Sequence, residues 1–431
     1  MSNTATTTTT TTNTSTSYTA PATTNATTGG GAAAPAIGDG PAMSPAPCGD
    51  FEQMGLSEAL LRGVYGAGFE RPSPVQARAI VPAMGGVDMV IQAQSGTGKT
   101  GAFGIALLHR LDVQRAAVQA ITLAPTRELA LQHAAVLGLL GDRLGARVHA
   151  SVGGHAVAAD AHALREGRAG GAHVVCGTPG RVLANLRGQT MQARAVRVLV
   201  IDEVDTLLAE GSFQDQLRDI IALLPADVQI LCVSATLSAP VLALTACFLR
   251  DPVRILVPVE AVSLAGIAQF FVDCGTREDD KVEVLRDLYA KISVAQSIIF
   301  CNTRRRVLQV AAQLRADDFA VGVLHAELTQ PEREAVLAAF VRGATRVLLA
   351  TDIIGRGIDV QQVSVVINLE LPPTRANYIH RIGRAGRNGR LGVAINLVSP
   401  RDAPELQALE QLYHCAIPAL PNDIDRLMAG C

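Results

Sequence analysis

The chain has 431 residues, which exceeds one compact core and suits two domains of ordinary size. Hydrophobic residues make up 48% of it, yet no run approaches the roughly 18 uncharged apolar residues that a membrane span needs. The net charge of −2 excludes a protein that holds polyanions by bulk attraction, and an aromatic content of 3% argues against reading bases by stacking.

The eight cysteines form no CxxC pair, and the nine histidines show no metal-ligand spacing. Several cysteines lie in apolar runs such as ILCVSAT and IIFCNT, where a free thiol packs as a small hydrophobic group. We therefore expect reduced thiols in a soluble intracellular protein, cytoplasmic or nuclear, rather than a disulfide or zinc framework.

Residues 1–47 differ in composition from the rest of the chain. They are rich in Thr, Ala and Pro, and no charged residue appears before Asp39. Such a segment cannot bury enough apolar surface to offset its chain entropy, so we expect a disordered tail. It lacks the arginines of a mitochondrial presequence and the apolar core of a secretory signal.

Over residues 48–257, short β-rich runs alternate with longer helical stretches, which predicts βαβ units and a parallel sheet. These runs are DMVIQA, AITLAP, RVHASV, HVVCGTP, VLVIDE, QILCVSAT and VRILV. A linker is expected over 258–266, and a second domain of the same α/β class over 267–431, with strands SIIFC, VGVLHA, RVLLATD and VSVVINLEL. In that domain Thr329 and Glu332 predict a capping box before a helix that Gly343 ends.

The segment AQSGTGKT stands between a predicted strand and a predicted helix. Small residues let the backbone turn so that N–H groups point at phosphate oxygens, and the helix N-terminus adds positive potential. Lys99 would reach the β- and γ-phosphates and the Thr100 hydroxyl would bind Mg²⁺. Ala93 replaces the glycine that opens the strict motif, and a glycine-rich turn with a solvated lysine is the alternative. The expected cradle is Ala93, Gln94, Ser95, Gly96, Thr97, Gly98, Lys99 and Thr100.

Three acids follow the apolar run of VLVIDEVDTLL. Carboxylates at the end of a buried strand repel one another unless a cation or a donor satisfies them. With a phosphate cradle earlier in the chain, Asp202 is expected to hold Mg²⁺, and Glu203 to orient and deprotonate the water that attacks the γ-phosphate. The alternative is an acidic helix N-terminus stabilised by the helix dipole.

Ten motifs in order resemble those of the DEAD-box RNA helicases. They are Gln76, AQSGTGKT, PTRELA, GG, TPGR, DEVD, SAT, FCNTRR, ATDIIGRGID and HRIGRAGR. The resemblance extends from Phe51 to the C-terminus, and LLRGVYGAGFERPSPVQARAI is similar to the branch of translation initiation factor four-A and its nuclear and nucleolar relatives. It implies two tandem RecA-like domains that close around ATP and single-stranded RNA.

The resemblance implies further nucleotide contacts. Phe51 would pack on adenine, Arg71 would lie near the ring, and Gln76 would read the edge of the base, since an amide both donates and accepts. Without the family motif, Gln76 would be interpreted as an ordinary polar residue of a helix. In the second domain, Gly357 and Asp359 would meet the nucleotide, Asp359 at the ribose hydroxyls.

The resemblance also implies that Arg384 and Arg387 point across the cleft at the γ-phosphate, where permanently charged guanidinium groups suit phosphoryl transfer. Without the motif they would read as a generic basic loop. Residues expected to couple hydrolysis to domain movement are Ser234, Thr236, Asp205 and His380. A strand-end turn is the alternative for the Ser-Ala-Thr motif.

RNA contacts are implied at strand ends and helix N-termini of both domains. Glycines, hydroxyls and arginines suit phosphate and sugar rather than base edges, so binding would be independent of sequence and RNA would be told from DNA by the 2′-OH. The expected residues are Pro125, Thr126, Arg127, Gly153, Gly154, Thr178, Arg181, Asn302, Thr303, Arg304, Arg333 and Thr351.

The chain departs from the family pattern at four quoted positions. Val204 replaces alanine beside the metal acids, which we expect to require local repacking costing on the order of 1 kcal/mol or less. Ala326 and Glu327 stand for Gly and Asp, and Glu370 stands for Asp. None removes a catalytic group, so these changes bear on duplex unwinding more than on ATP binding.

The sequence thus predicts a monomeric, RNA-stimulated ATPase that uses ATP and Mg²⁺ to unwind short duplexes or remodel RNA–protein complexes. Its expected partners are single-stranded and short duplex RNA and the scaffold proteins of translation initiation or RNA processing. An ATP-gated RNA clamp with little unwinding is the alternative, and a DNA helicase is a third possibility that lacks the accessory domains.

Overall fold

The structure is a computed structural model. It describes residues 47–93, 96–154, 157–165, 167, 170–209, 211–256, 267–291, 296–352, 363–385 and 392–421. The expected tail, apart from residue 47, and the expected linker therefore lie outside the described residues. The same holds for five predicted site residues, namely Gln94, Ser95, Gly357, Asp359 and Arg387.

The first sheet has seven parallel strands in the order β3-β4-β2-β5-β6-β1-β7. All seven coincide with the predicted β-rich runs, and the strands other than the edge strand β3 are largely apolar, as a parallel sheet covered on both faces requires. The strands are β1 (Met89–Gln92), β2 (Ala120–Leu123), β3 (Val148–Ser151), β4 (Val174–Gly177), β5 (Val198–Asp202), β6 (Gln229–Ser234) and β7 (Val253–Ile255).

Nine α-helices among the described residues accompany this sheet, and two apolar clusters fill the space between the helices and its strands. The helices are α1 (Glu58–Gly66), α2 (Pro74–Met84), α3 (Lys99–His109), α4 (Arg127–Gly141), α5 (Val157–Ala163), α6 (Pro179–Arg187), α7 (Val204–Ala209), α8 (Gly211–Leu223) and α9 (Ala239–Thr245), with short 3₁₀ turns at Phe51–Met54 and Ala193–Ala195.

The second sheet has six parallel strands in the order β10-β11-β9-β12-β13-β8. Its strands are β8 (Ile267–Asp273), β9 (Ser297–Phe300), β10 (Val321–Leu324), β11 (Val347–Ala350), β12 (Val365–Asn368) and β13 (Gly392–Val398). Its helices in the described residues are α10 (Glu278–Lys291), α11 (Arg304–Ala316), α12 (Gln330–Val341), α13 (Arg375–Ile382) and α14 (Ala403–Tyr413). The predicted α/β class with two parallel sheets is confirmed.

Strands β8 and β13 were absent from the sequence prediction. Each carries a buried polar residue, Gln269 in β8 and Asn396 in β13, which interrupts the apolar run. Tyr378 joins them, since its hydroxyl donates to Gln269 at 2.8 Å and accepts from the Asn396 amide at 3.1 Å. Neighbours distant in sequence therefore satisfy polar groups that would otherwise be costly to bury.

Two capping boxes start helices that matter for the site. The predicted one is confirmed at α12, where the Glu332 carboxylate accepts from the Thr329 backbone N–H at 2.7 Å, and Gly343 follows the helix at φ 73°. A second box starts α2, where the Gln76 side chain accepts from the Ser73 N–H at 2.8 Å.

The predicted site residues converge because parallel strands bring their carboxyl ends to one edge of a sheet. The loop after β1, the acids after β5 and Ser234 at the end of β6 share that edge of the first sheet, and Asn302 and Thr351 follow β9 and β11 in the second. Among the helices that the structure describes, none is long and apolar enough to cross a membrane.

Candidate active site and nucleic-acid cleft

The loop between β1 and α3 has the backbone that a phosphate cradle requires. Gly96 and Gly98 have φ values of 82° and 89°, a left-handed conformation that favours glycine. A Cβ at Gly98 would lie 2.6 Å from the Gln76 amide nitrogen, so this position has no room for a side chain. The Lys99 ammonium donates to the Ala93 carbonyl at 2.7 Å, which holds its side chain along the loop.

Asp202, which is predicted to hold Mg²⁺, is buried at the end of β5 and accepts two hydrogen bonds. His133 Nε2 lies 2.9 Å from one carboxylate oxygen, and the Glu203 N–H donates to the other at 2.9 Å. Burial alone would raise the pKa of Asp202, but the His133 hydrogen bond and the nearby Lys99 charge outweigh it and lower this pKa below its usual range. The carboxylate is therefore kept ionised.

Glu203 occupies the sharp turn between β5 and α7. Its φ of 49° lies in the left-handed region, its side chain is 7% exposed, and its Oε2 has no hydrogen-bond partner among the described residues. Burial raises the pKa of this carboxyl above its ordinary value, while the nearby His380 and Arg384 charges oppose that shift. Such strain and an unpaired buried oxygen are typical of a reacting group rather than a structural one.

The residues present suit Mg²⁺. Asp202 supplies an ionised oxygen, and no cluster of three or more His, Cys, Asp or Glu side chains in the described part of the chain could hold a metal by itself. Mg²⁺ is commonly bound through one or two carboxylates together with substrate phosphates, which is the donor set that Asp202, Thr100 and the phosphate loop would complete.

Asp205 joins the two domains. It accepts from the Ser234 hydroxyl at 2.7 Å and the Thr236 hydroxyl at 2.6 Å, and His380 Nε2 of the second domain lies 3.4 Å away. Burial would raise the pKa of Asp205, but these bonds outweigh it and lower the pKa strongly. The four residues predicted to couple the domains are thus in mutual contact.

Arg384 lies two residues beyond the end of α13, near the same acids. It is 5% exposed, and its Nε donates to the His380 carbonyl at 3.2 Å. Burial lowers the pKa of its guanidinium, and the charge of Glu203 opposes that shift from across the cleft. A permanently charged group of the second domain therefore faces the phosphate side of the first.

A cleft of about 730 Å³ is lined by residues of both domains. It contains six of the predicted RNA-binding residues, namely Pro125, Thr126, Arg127, Gly153, Thr178 and Arg333. Its other lining residues are Glu128, Gly180, Thr206, Phe213, Gln216, Leu324, Asp352 and Asn377. Arg127 also lies 3.9 Å from Glu334 of the second domain, so α4 and α12 meet at this cleft.

The remaining predicted RNA-binding residues do not line this cleft. Gly154 supports it indirectly, because a Cβ there would lie 2.1 Å from the Arg127 guanidinium. Thr351 follows β11 and donates from its N–H to the carbonyl of the lining residue Leu324 at 3.3 Å. Thr303 starts α11 as its N-cap, accepting from the Arg306 N–H at 3.2 Å.

Two departures from the family pattern engage predicted RNA-binding residues of the second domain. Arg304 pairs with Glu327 at 2.5 Å, and Glu370 accepts from the Asn302 N–H at 2.6 Å. The Asn302 side chain is also occupied, donating to the Leu371 carbonyl at 2.8 Å. RNA contact by Asn302 and Arg304 stays a prediction, and it would require their side chains to exchange these partners.

Two of the residues predicted to contact adenine are engaged within the protein in this structure. The Phe51 ring is 0% exposed in the apolar core and packs edge-on against Tyr65, so neither face is open to a base in this conformation. Arg71 lies exposed before α2. The Gln76 amide is engaged by protein, since it donates to the Gly98 carbonyl at 3.1 Å in addition to its capping bond.

Val204 is fully buried at the start of α7, within the apolar cluster on one face of the first sheet. Its added methyl groups thus lie in the core rather than in the phosphate site. The local repacking around Val204 and its small energetic cost stay a prediction.

Asp160 forms a buried polar cluster that the sequence did not indicate. Its carboxylate is 0% exposed and accepts from His149 at 2.7 Å, Ser151 at 3.2 Å, Arg181 at 2.7 Å and Asn185 at 2.8 Å. Burial would raise the pKa of Asp160, but the bonds from Asn185, His149 and Arg181 lower it. The cluster binds the guanidinium of Arg181, whose backbone N–H donates to the carbonyl of Thr178, a lining residue of the cleft.

Arg381 is a second residue that sequence reasoning missed. Fully buried in α13, it bonds to Asp352, to the Glu370 carbonyl at 2.8 Å and to the Asn302 side chain at 2.7 Å, with its guanidinium over the Phe300 ring. These bonds fix the helix that contains His380, whose carbonyl accepts from Arg384. Its position inside HRIGRAGR was the available signal.

Comparison with known proteins places the chain in a family. Residues 73–244 match the DEAD/DEAH box helicase family, and residues 280–389 match the helicase conserved C-terminal domain. Over 379 residues, the chain is 47% identical to eukaryotic initiation factor 4A of Drosophila melanogaster, an alignment that covers 88% of this chain and 93% of that protein. The chain belongs to the DEAD-box family of ATP-dependent RNA helicases. It is therefore an ATP-hydrolysing enzyme, and the match to RNA helicases favours the RNA helicase over the RNA clamp and the DNA helicase considered above.

Solved structures confirm two RecA-like domains in this helicase. Dbp5 of S. cerevisiae bound to RNA and ADP BeF3 superposes with a TM-score of 0.81 at 32% identity, covering 89% of this chain and 98% of that chain. A Dbp5 variant bound to Nup159, a Gle1 variant, IP6 and ADP gives 0.61 at 32% identity, covering 86% and 96%.

Proposed function

We propose that this helicase hydrolyses ATP with Mg²⁺ at the seam between its domains and uses the resulting closure to separate short RNA duplexes or remodel RNA–protein complexes. The observation that supports it most directly is the contact of Asp205 with Ser234, Thr236 and His380, beside Glu203 and facing Arg384. The residues that would sense hydrolysis therefore also form a contact between the two domains.

In this proposal the backbone of Gly96–Gly98 and the Lys99 ammonium bind the β- and γ-phosphates, and Thr100 and Asp202 bind Mg²⁺. The bound metal would neutralise charge on the phosphate oxygens. Glu203 orients the attacking water and takes its proton, a task that its raised pKa assists. Arg384 stabilises the charge that spreads over the transferred phosphoryl group.

The adenine and ribose contacts stay within the proposal. Adenine binding would require Gln76 to exchange its bond to the Gly98 carbonyl for the edge of the base, and Phe51 to leave its buried position. Beyond the described residues, the proposal keeps Gln94 and Ser95 in the phosphate cradle and Gly357, Asp359 and Arg387 at the nucleotide. The proposed domain boundaries are a tail over 1–47, a first helicase domain over 48–257, a linker over 258–266 and a second helicase domain over 267–431.

RNA would bind in the cleft that Arg127 and Arg333 line from opposite domains. The hydroxyl groups, glycines and arginines of the cleft suit the phosphates and the 2′-OH of a single strand of any sequence. Because both domains line the cleft, the strand would contact both only when the domains close. We further propose a monomer that works in the cytoplasm or nucleus with scaffold proteins of translation initiation or RNA processing. The initiation-factor name of one relative supports the first of these pathways.

Glu203→Gln tests the catalytic assignment. The amide keeps the shape of the side chain but cannot take a proton, so we expect RNA-stimulated kcat to fall by about 100-fold or more while ATP and RNA remain bound. Steady-state ATPase and fluorescence anisotropy with a labelled oligoribonucleotide measure both. Lys99→Ala is the matched control, which should lose ATP binding itself. ATP hydrolysis by Glu203→Gln at the wild-type rate would show that another group is the base.

A further inference from the structure

His133 is a buried histidine that neither the motifs nor the proposed chemistry explains. It lies in the second turn of α4, is 0% exposed, and packs edge-on against Phe103 with ring centroids 5.2 Å apart. Its Nε2 is 2.9 Å from Asp202 Oδ2, although 69 residues separate the two in the chain. Since an ionised carboxylate only accepts, Nε2 is the donor in this bond.

A purely structural role accounts poorly for this side chain. The His133 Nδ1 is buried without a hydrogen-bond partner among the described residues, and a buried polar atom left in that state costs free energy. An apolar side chain would fill the space beside Phe103 without this cost. What an apolar residue could not supply is the donor to Asp202.

The bond supplies what the remaining contacts of Asp202 lack. The Glu203 N–H donates to Oδ1 alone, so it leaves the carboxylate able to turn about that contact. With His133 on Oδ2, each oxygen has a donor and the plane of the carboxylate is set from two sides. Partners of this kind orient metal-binding side chains and typically change metal affinity when removed.

We propose that His133 is a positioning residue that orients Asp202 for Mg²⁺ without touching the ion or the nucleotide. This inference rests on the proposed function, in which Asp202 holds the metal. His133 transfers no proton in this role. We expect it to affect the concentration of Mg²⁺ at which nucleotide binding becomes tight.

The test compares His133→Gln with His133→Asn in the full chain. Both replacements are polar, but the Gln amide nitrogen reaches about as far as the histidine Nε2, whereas the Asn amide is one methylene shorter. A fluorescent, non-hydrolysable ATP analogue is titrated at increasing Mg²⁺, and again in EDTA. His133→Asn should need about tenfold more Mg²⁺ for half-maximal binding, with unchanged affinity in EDTA. His133→Gln should stay close to the wild type.

Two further variants separate this role from general damage. His133→Leu removes the donor while filling the cavity, and should shift the Mg²⁺ requirement as His133→Asn does. His173→Leu removes another buried histidine of the first domain, one bonded to Arg147, and should leave that requirement unchanged. Far-UV circular dichroism checks that each variant is folded.

The outcomes distinguish failure of the inference from failure of the proposed function. If wild-type binding of the analogue does not depend on Mg²⁺, the metal role of Asp202 is wrong. If the wild type depends on Mg²⁺ and His133→Asn follows the same curve, or His133→Gln shifts as much as His133→Asn, then His133 does not position the carboxylate.

Discussion

Asp160 shows how one buried charge organises a loop region. Its carboxylate has no exposure and four donors, among them Arg181, whose side chain is 15% exposed. Breaking a buried ion pair by removing one partner costs more than the pair itself contributes, because the other charge stays buried. The cluster therefore sets the position of the Arg181 side chain in α6, the helix that follows the cleft residue Thr178.

At this scale we predict that Asp160→Asn lowers the free energy of unfolding by about 3 kcal/mol, measured by urea denaturation with far-UV circular dichroism. Because the folded-state pKa of Asp160 lies below the ordinary value of 3.8, its contribution is present above that pH and is lost as pH falls through the folded pKa. The variant and the wild type should thus converge only in strongly acidic buffer. A difference that persists there would contradict the charge-based explanation.

Helix α4 and the turn at Gly153–Gly154 meet at a single guanidinium. Gly154 has a φ of 83°, and a Cβ there would collide with Arg127, which lines the cleft at the start of α4. The glycine is therefore required twice, by its backbone conformation and by the arginine that lies against it. The same helix carries His133 six residues later, so α4 contacts both the cleft, through Arg127, and Asp202, through His133.

At the scale of elements we predict that Arg127→Gln weakens binding of an oligoribonucleotide and lowers the slope of log affinity against log salt by about one, the loss of one phosphate contact. Gly154→Ala should do the same by displacing the guanidinium. Because both act on one contact, the double variant should be no weaker than either single one. Additive effects in fluorescence anisotropy would mean that Gly154 supports RNA binding by another route.

Over the whole molecule, the cross-domain contacts differ in strength because they differ in burial. Asp205 and His380 are 10% and 1% exposed at their side chains, whereas Glu334, which faces Arg127 at 3.9 Å, is 57% exposed. An exposed ion pair contributes little because water and salt screen it. The closed arrangement therefore depends on the contact at the acids rather than on the ion pair at the cleft.

We therefore predict that His380→Leu reduces the closed fraction seen by single-molecule FRET with an ATP analogue and RNA. A loss of about 1–3 kcal/mol corresponds to at least a fivefold lower ratio of closed to open molecules. Glu334→Gln is the matched control and should change the closing free energy by less than about 0.5 kcal/mol. Equal effects of the two variants would show that burial does not determine how much each contact contributes to the free energy of closing.

Much of the site was predictable because its chemistry is local. The cradle from Ala93 to Thr100 needs small residues in one loop, the acids after β5 need a buried strand before them, and the box at Thr329 involves residues three apart. Each is set by neighbours in the chain, so the order of residues alone indicates it. The same holds for most strands, whose apolar runs are required by burial on both faces.

What the tertiary structure decided depends on residues far apart in sequence. Strands β8 and β13 carry Gln269 and Asn396, which become compatible with a core only once Tyr378 lies between them. The burial of Phe51 and the bond from His133 to Asp202 likewise exist only after packing. A buried polar group is stable when a partner is present, and the fold supplies that partner at a distance that no local pattern encodes.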